Sequence, residues 1–284
     1  MRYLGIDLAW GEGSDDRPAN RSGVVVLDPS GDISAAGWTV GLDETLAWVR
    51  DHGSGDCLLF VDAPLVISNR RGQRVADKQV GQRYGRWWVS ANSVNLASPR
   101  RAGVRLRECL EDEGWTYSDG LAGPPDAGRV VSECYPYTTI VGAPELGYDD
   151  KRPPYKRKPR RVRSADFRPL RAEACDELIR RVAGLAAADP PIRLASHERT
   201  RRLVEEPSPL EDVPYKQRED LLDAVLCVWT AALWHRHGTR RCQVLGGPEP
   251  VGGGEPVGAA GHATSAVGAL ATMIAPARPE QRRP

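Results

Sequence analysis

The order of apolar and polar positions changes period several times along the chain, and each period predicts an element. Residues 2–8, RYLGIDL, suit a strand, and residues 23–28, GVVVLD, suit a second. The run Pro29-Ser30-Gly31-Asp32 has turn composition and leads into a third strand at 33–38. Together they predict an antiparallel three-strand meander. At 42–52 the spacing of Leu42, Leu46 and Val49 is helical, and Gly53 ends it. Residues 57–62, CLLFVD, form an unbroken apolar run, the pattern of a strand covered on both faces.

Helices follow at 75–84 and 102–113, joined by a loop at 90–101, and a short strand at 129–134 reads RVVSEC. Residues 148–164 are Pro-rich and basic, which predicts an exposed loop or flap. A helix is expected at 164–184, with Ser164 or Asp166 available as its cap. Residues 188–214 look irregular. The strongest helical signal covers 215–237, where Leu222, Val225, Trp229 and Leu233 form one apolar stripe and Gly238 suits the terminus. A strand at 242–245 precedes a Gly/Pro-rich stretch at 246–261, and the tail at 276–284 is expected to fray. No internal repeat is visible. The order predicts an α/β fold with a mixed sheet flanked by helices, in one domain over 1–275.

Composition narrows the function classes. With 284 residues, 40% of them hydrophobic, the chain has ample material for a core. No run of about eighteen apolar residues occurs, so no transmembrane helix is expected. The first residues enter a strand pattern at once, which leaves no room for a signal peptide and leads us to expect a cytoplasmic protein. The six cysteines form no CxxC pair and sit mostly in apolar contexts, which favours buried reduced thiols over disulfides or zinc ligands. His235 and His237, two apart on a helix, point to different faces and make a poor zinc pair. A net charge of +1 conceals a segregation. Residues 68–107 hold ten Lys/Arg and one acid, Asp77, and residues 151–163 hold eight Lys/Arg and no acid. That distribution predicts a positive face.

Four acids stand where apolar elements deliver a carboxylate to an edge. Asp7 ends one strand, Asp62 ends another just before Ala63-Pro64, and Asp220 and Asp223 share one face near the start of the long helix. Ligands of open α/β sheets bind beyond the carboxyl ends of the strands, where Asp7 and Asp62 would stand. Hard oxygen ligands suit Mg²⁺ or Mn²⁺, and a pair of such ions can activate a water and stabilise a leaving oxygen in phosphoryl transfer. Crowded carboxylates repel one another, and a cation relieves that repulsion. Each acid alone also suits a turn, a cap or the favourable end of a helix dipole. Glu133, at the end of RVVSEC, is equally open.

The motifs resemble a known family. They are Gly5-Ile6-Asp7-Leu8-Ala9-Trp10-Gly11, Asn20-Arg21-Ser22-Gly23, and Val61-Asp62-Ala63-Pro64-Leu65 with Asn69 and Gly72. Glu133-Cys134-Tyr135-Pro136, Tyr155-Lys156 and Asp220-Leu221-Leu222-Asp223-Ala224 complete the set. Their order is similar to that of domain-of-unknown-function family 429, whose members are described as predicted nucleases of the ribonuclease H-like superfamily. The D-x-x-D-A helix also looks like that of Holliday-junction resolvases. The resemblance implies a ribonuclease H-like mixed sheet of five strands, an antiparallel meander plus parallel strands, around a two-metal acidic centre. Asp7 would bridge the metals, and Asp62 with Asp220 or Asp223 would complete the shell. Glu133 would be a ligand or general base, and Lys156 would contact a phosphate. The insert at 13–18 and the Gly-rich segment after 246 depart from the family's pattern.

The basic segments suit a nucleic-acid partner, DNA or RNA. Asn69, Arg70, Arg71, Arg74, Arg100 and Arg101 are candidates for backbone contacts, and Trp87 or Trp88 for stacking on bases. A solvated basic face over core tryptophans accounts for the same pattern. The leading expectation is a Mg²⁺- or Mn²⁺-dependent nuclease acting by two metals. Two alternatives are an ATP-dependent phosphotransferase of the actin-like and sugar-kinase kind, and a non-catalytic nucleic-acid-binding protein.

Overall fold

A computed structural model describes residues 1–11, 19–159, 162–248 and 269–281. The insert at 13–18, most of the Gly-rich segment after 246 and the last three residues lie outside the described residues.

The meander forms as its pattern predicts. Strands β1 (Arg2–Asp7), β2 (Arg21–Leu27) and β3 (Ile33–Val40) pair antiparallel, with Asp7 opposite Gly23. β4 (Cys57–Val61) pairs parallel to β1, β6 (Arg129–Glu133) pairs parallel to β4, and the two-residue β5 (Thr116–Tyr117) closes the far edge. The result is a six-stranded mixed sheet in the order β3-β2-β1-β4-β6-β5, against an expectation of five strands. β5 was not anticipated, because two residues carry no periodicity.

Helices cover both faces. Alternate residues of β1 divide between two cores. Leu4 and Ile6 pack with Leu46 and Val49 of α1 (Gly41–His52) and with Leu106 and Leu110 of α3 (Ala102–Asp112). Tyr3 packs on the other side, with α2 (Val75–Tyr84), α4 (Pro136–Gly142), α5 (Ser164–Gly184) and α7 (Asp212–His237). α7 is not a surface helix with one stripe. From Arg218 to Trp234 every residue is buried, because the sheet covers one side and α4, α5 and α6 (Glu198–Glu205) with a C-terminal hairpin cover the other. Trp229 and Trp234 are fully enclosed, and truncating either would cost about 3–5 kcal/mol.

Four further expectations are corrected. The stretch 188–214 contains α6, with Thr200 and Leu203 buried. Over its described residues the segment at 148–164 is no free flap, since Tyr155 in its middle is wholly buried and donates its hydroxyl to Asp223. The tail does not fray over its described part. β8 (Thr272–Pro276) pairs antiparallel with β7 (Cys242–Gly246), and the buried Arg278 donates to the carbonyls of Val141 and Tyr148 and to Asp149. At the start of α5, Arg163 takes the capping position and Asp166 accepts from its guanidinium instead of capping. All six cysteines are free thiols, and no helix among the described residues is long and apolar enough to cross a membrane.

Candidate metal centre

The site begins with the register of two parallel strands. Val61 pairs with Ile6, and the Asp62 N–H donates to the Ile6 carbonyl at 2.8 Å. Asp7 and Asp62 therefore leave the sheet side by side at its carboxyl edge. Odd-numbered residues of β1 face α7, so Asp7 points toward the helix that carries the other two acids.

Glycines bring that helix close. A Cβ on Gly5 would stand 2.4 Å from the Ala224 carbonyl oxygen, and one on Gly23 would stand 2.1 Å from that of Asp220. Only glycine at these positions lets the α7 backbone rest on β1 and β2. The contact places Asp223 against Asp7 and Asp62. One carboxylate oxygen from each of the three lies within 4.8 Å of the others. Asp223 is completely buried beneath the cluster, whereas Asp7 and Asp62 keep 9% and 8% of their surface and open into a cleft of about 630 Å³.

Asp220 stands one helical turn away, close enough to Asp7 to feel its charge and paired with Lys216 at 2.5 Å. Lys216 also meets Glu219 at 2.8 Å. The Lys156 ammonium contacts Asp223 Oδ2, and Tyr155 donates to Asp223 Oδ1 at 2.7 Å. Burial and then the Asp7 carboxylate push the Asp62 carboxyl up to about 8, and the same two causes push Asp220 to about 8. Burial opposes the charge on Lys156, but Asp7, Glu219 and Asp62 outweigh it and hold the ammonium above its ordinary range. Lys216 is held up in the same way by Asp7, Glu219 and Asp220. Excess buried acidity and internal ammonium groups together mark a cluster built around positive charge.

Glu133 ends β6, beside Val61, but its carboxylate is fully engaged by other partners. Arg74 grips it through both oxygens, at 2.6 and 2.8 Å, and the Leu65 N–H donates to it at 3.0 Å. It is therefore no ligand but an anchor for the turn that follows Asp62. Arg74 needs the same correction. It is 1% exposed, is shared between Glu133 and Asp77, and presents no charge to a nucleic acid. Asn69 is likewise internal, donating its amide to the carbonyls of Arg71, Gly72 and Val94. Arg70 and Arg71 are exposed, yet neither lines the cleft, while Arg100 does. Arg101 is tied to the Leu96 carbonyl.

Other residues complete the rim. Arg21, Asn92, Tyr135 and Arg157 line the cleft together with Lys156 and Lys216. Two of the missed residues carried a readable signal. Lys216, Glu219, Asp220 and Asp223 recur at helical spacing, so the full face was implicit in the sequence. Asn92 and Arg157 carried none, since long loops place them.

The profile of the family described as "Protein of unknown function (DUF429)" matches residues 5–249. The chain belongs to this family. The matched span holds all the acids of the centre, the basic segment around Lys156 and the whole of α7. No curated protein and no solved structure matches the chain.

Proposed function

We propose that this DUF429 protein is a divalent-metal-dependent nuclease with a ribonuclease H-like sheet. The observation that carries the proposal is the convergence of Asp7, Asp62 and Asp223 oxygens within 4.8 Å at the floor of a cleft rimmed by Arg and Lys. Burial first, and then the Asp7 charge, let Asp62 and Asp220 keep their protons to about 8, and such crowded oxygen donors suit Mg²⁺ or Mn²⁺. The antiparallel meander running into parallel strands supports the ribonuclease H-like assignment.

Asp7, Asp62 and Asp223 would hold one ion, and Asp7 with Asp220 would frame a second. Bound there, divalent ions neutralise phosphate oxygens and lower the pKa of a water. The chain's own groups do the rest. Arg21, Arg100 and Arg157 on the rim attract and orient a phosphodiester. Lys156 and Lys216 lie within the cluster and balance its charge as substrate arrives. Tyr155 fixes the Asp223 carboxylate, and the Glu133–Arg74–Asp77 group holds the turn after Asp62.

The test is cleavage of labelled single-stranded, duplex, hybrid and branched nucleic acids by wild type, Asp7→Asn and Asp223→Asn, in Mg²⁺, Mn²⁺ and EDTA. Metal-dependent cutting that both variants lose by about a thousandfold or more is the expected result. Tight Mn²⁺ binding with no cutting of any nucleic acid would transfer the site to another phosphate ester. Absence of both would end the metal-centre reading.

A further inference from the structure

Trp88 is exposed, whereas the other seven tryptophans are buried or half-buried. Its neighbour Trp87 is completely buried and donates its indole N–H to the Asp149 carbonyl at 2.7 Å. Trp88 is 69% exposed and sits in the left-handed region, at φ +63°, where no other non-glycine residue is found among the described residues. A bulky side chain in that conformation is strained by roughly 1–2 kcal/mol, and hydrophobic surface left in water gains nothing in return. The strain is held in place from both sides. The Trp88 N–H donates to the Gly85 carbonyl at 2.9 Å, and Arg152 Nε donates to the Trp88 carbonyl at 2.8 Å.

The ring forms one wall of a second concavity of about 650 Å³. Its charged lining groups are Lys151, Arg152, Arg157 and Lys158, and among the described residues no carboxylate lines it. The guanidinium of Arg152 rests on neutral partners, the Trp88 carbonyl and the Tyr137 hydroxyl. That of Arg157 rests on the Ser90 carbonyl, Asn92 Oδ1 and the Tyr135 hydroxyl. Among the described residues neither guanidinium is paired with a carboxylate. Arg157 lines this concavity and the acidic cleft alike, so the two are joined through one side chain.

An aromatic face beside cations, joined to a centre suited to phosphate, matches the chemistry of an unpaired nucleotide. We infer that Trp88 is a stacking platform for an unpaired base of a single-stranded nucleic acid, whose backbone runs past Arg157 into the acidic cleft. This rests on the nuclease reading and adds a substrate class to it. A base inside a duplex has both faces covered, and exposing one costs a few kcal/mol. An indole face takes any single-stranded base without that penalty. Single strands and frayed ends are therefore favoured over duplex.

The experiment is fluorescence anisotropy of labelled oligothymidylate, oligouridylate and a duplex, in EDTA so that nothing is cut. It compares wild type, Trp88→Ala and Trp88→Phe, with Mn²⁺ affinity and thermal midpoint measured alongside. Wild type should prefer the single strands. Trp88→Ala should weaken single-strand binding about 5- to 150-fold, the equivalent of losing one stacked base. Duplex affinity, Mn²⁺ affinity and the slope of log affinity against log salt should not move, and Trp88→Phe should retain most of the binding. Wild-type binding that Trp88→Ala leaves intact, or weakens equally on duplex, would overturn the platform and leave the nuclease reading standing. Failure of wild type to bind any nucleic acid while it binds Mn²⁺ would overturn the platform and the nucleic-acid substrate together.

Discussion

The α-carbon of Gly23 lies so close to Asp220 that a single methyl group on it would stand 2.1 Å from the Asp220 carbonyl oxygen. Strand β2 and helix α7 meet there backbone to backbone, with Asp7 directly across the ladder from Gly23.

Gly23→Ala should therefore push α7 off the sheet, with an overpacking penalty of about 1–3 kcal/mol. Because Asp220 and Asp223 ride on that helix, Mn²⁺ affinity should fall as well. Paired urea titrations and Mn²⁺ calorimetry check both effects. A variant of native stability and native metal affinity would show that the contact positions nothing.

Arg74 and Glu133 form a buried ion pair that never touches the cleft floor. Arg74→Met should destabilise the fold by about 3–5 kcal/mol, since it strands the Glu133 and Asp77 carboxylates in the core. Glu133→Gln added to Arg74→Met should recover part of the loss. A double-mutant cycle reads this coupling, and strictly additive losses would separate the two residues.

The acidic cluster makes stability depend on pH in an unusual direction. Unfolded aspartates release their protons near 4, whereas Asp62 and Asp220 in the fold keep theirs to about 8. Between those values the native state binds more protons than the unfolded one, so metal-free protein loses stability as the pH rises. In the proposed metal centre divalent ions would bind the deprotonated cluster, so their affinity should climb over the same window and level off above about 8. Thermal midpoints at about pH 5.5 and about pH 8.5, with EDTA and with Mn²⁺, test the sign. Equal midpoints in EDTA, or a metal affinity that ignores pH, would contradict it.

Trp88→Gly should stabilise the protein by about 1 kcal/mol, because glycine relieves the left-handed backbone and the exposed ring contributes little packing. Trp88→Ala keeps the strain and should not. Chemical denaturation of both variants makes the comparison, and a loss of stability in Trp88→Gly would mean that the indole is packed after all.

Much of this arrangement was legible beforehand, and the limits have physical causes. Asp7 and Asp62 announce themselves because each ends an apolar run, and runs of that kind lie side by side at the centre of a sheet. Asp220 and Asp223 follow from helical spacing. What periodicity cannot carry is the partner of a buried charge. Arg74 looks like one more cation in a basic stretch, and only its approach to Glu133, 59 residues away, takes it inside. Trp87 and Trp88 are indistinguishable in sequence, yet a one-residue change of backbone conformation buries one and exposes the other. The single stripe expected on α7 shows the same limit. A helix covered on all sides is still interrupted by Arg218, Glu219, Asp220 and Asp223, which imitate a polar face while serving the interior and the site.

The three carboxylates that converge on one another come from positions 7, 62 and 223. β1 supplies the first near the start of the chain, and α7 supplies the last after more than two hundred residues of intervening fold. Closing that span is the slowest kind of contact for a chain to make, because the loop entropy is lost before any packing rewards it. No fragment that stops short of Asp223 can assemble the triad, however well its meander folds. If the triad holds a metal as proposed, its affinity would report the completed fold, and any chemistry there would stay silent until α7 has docked.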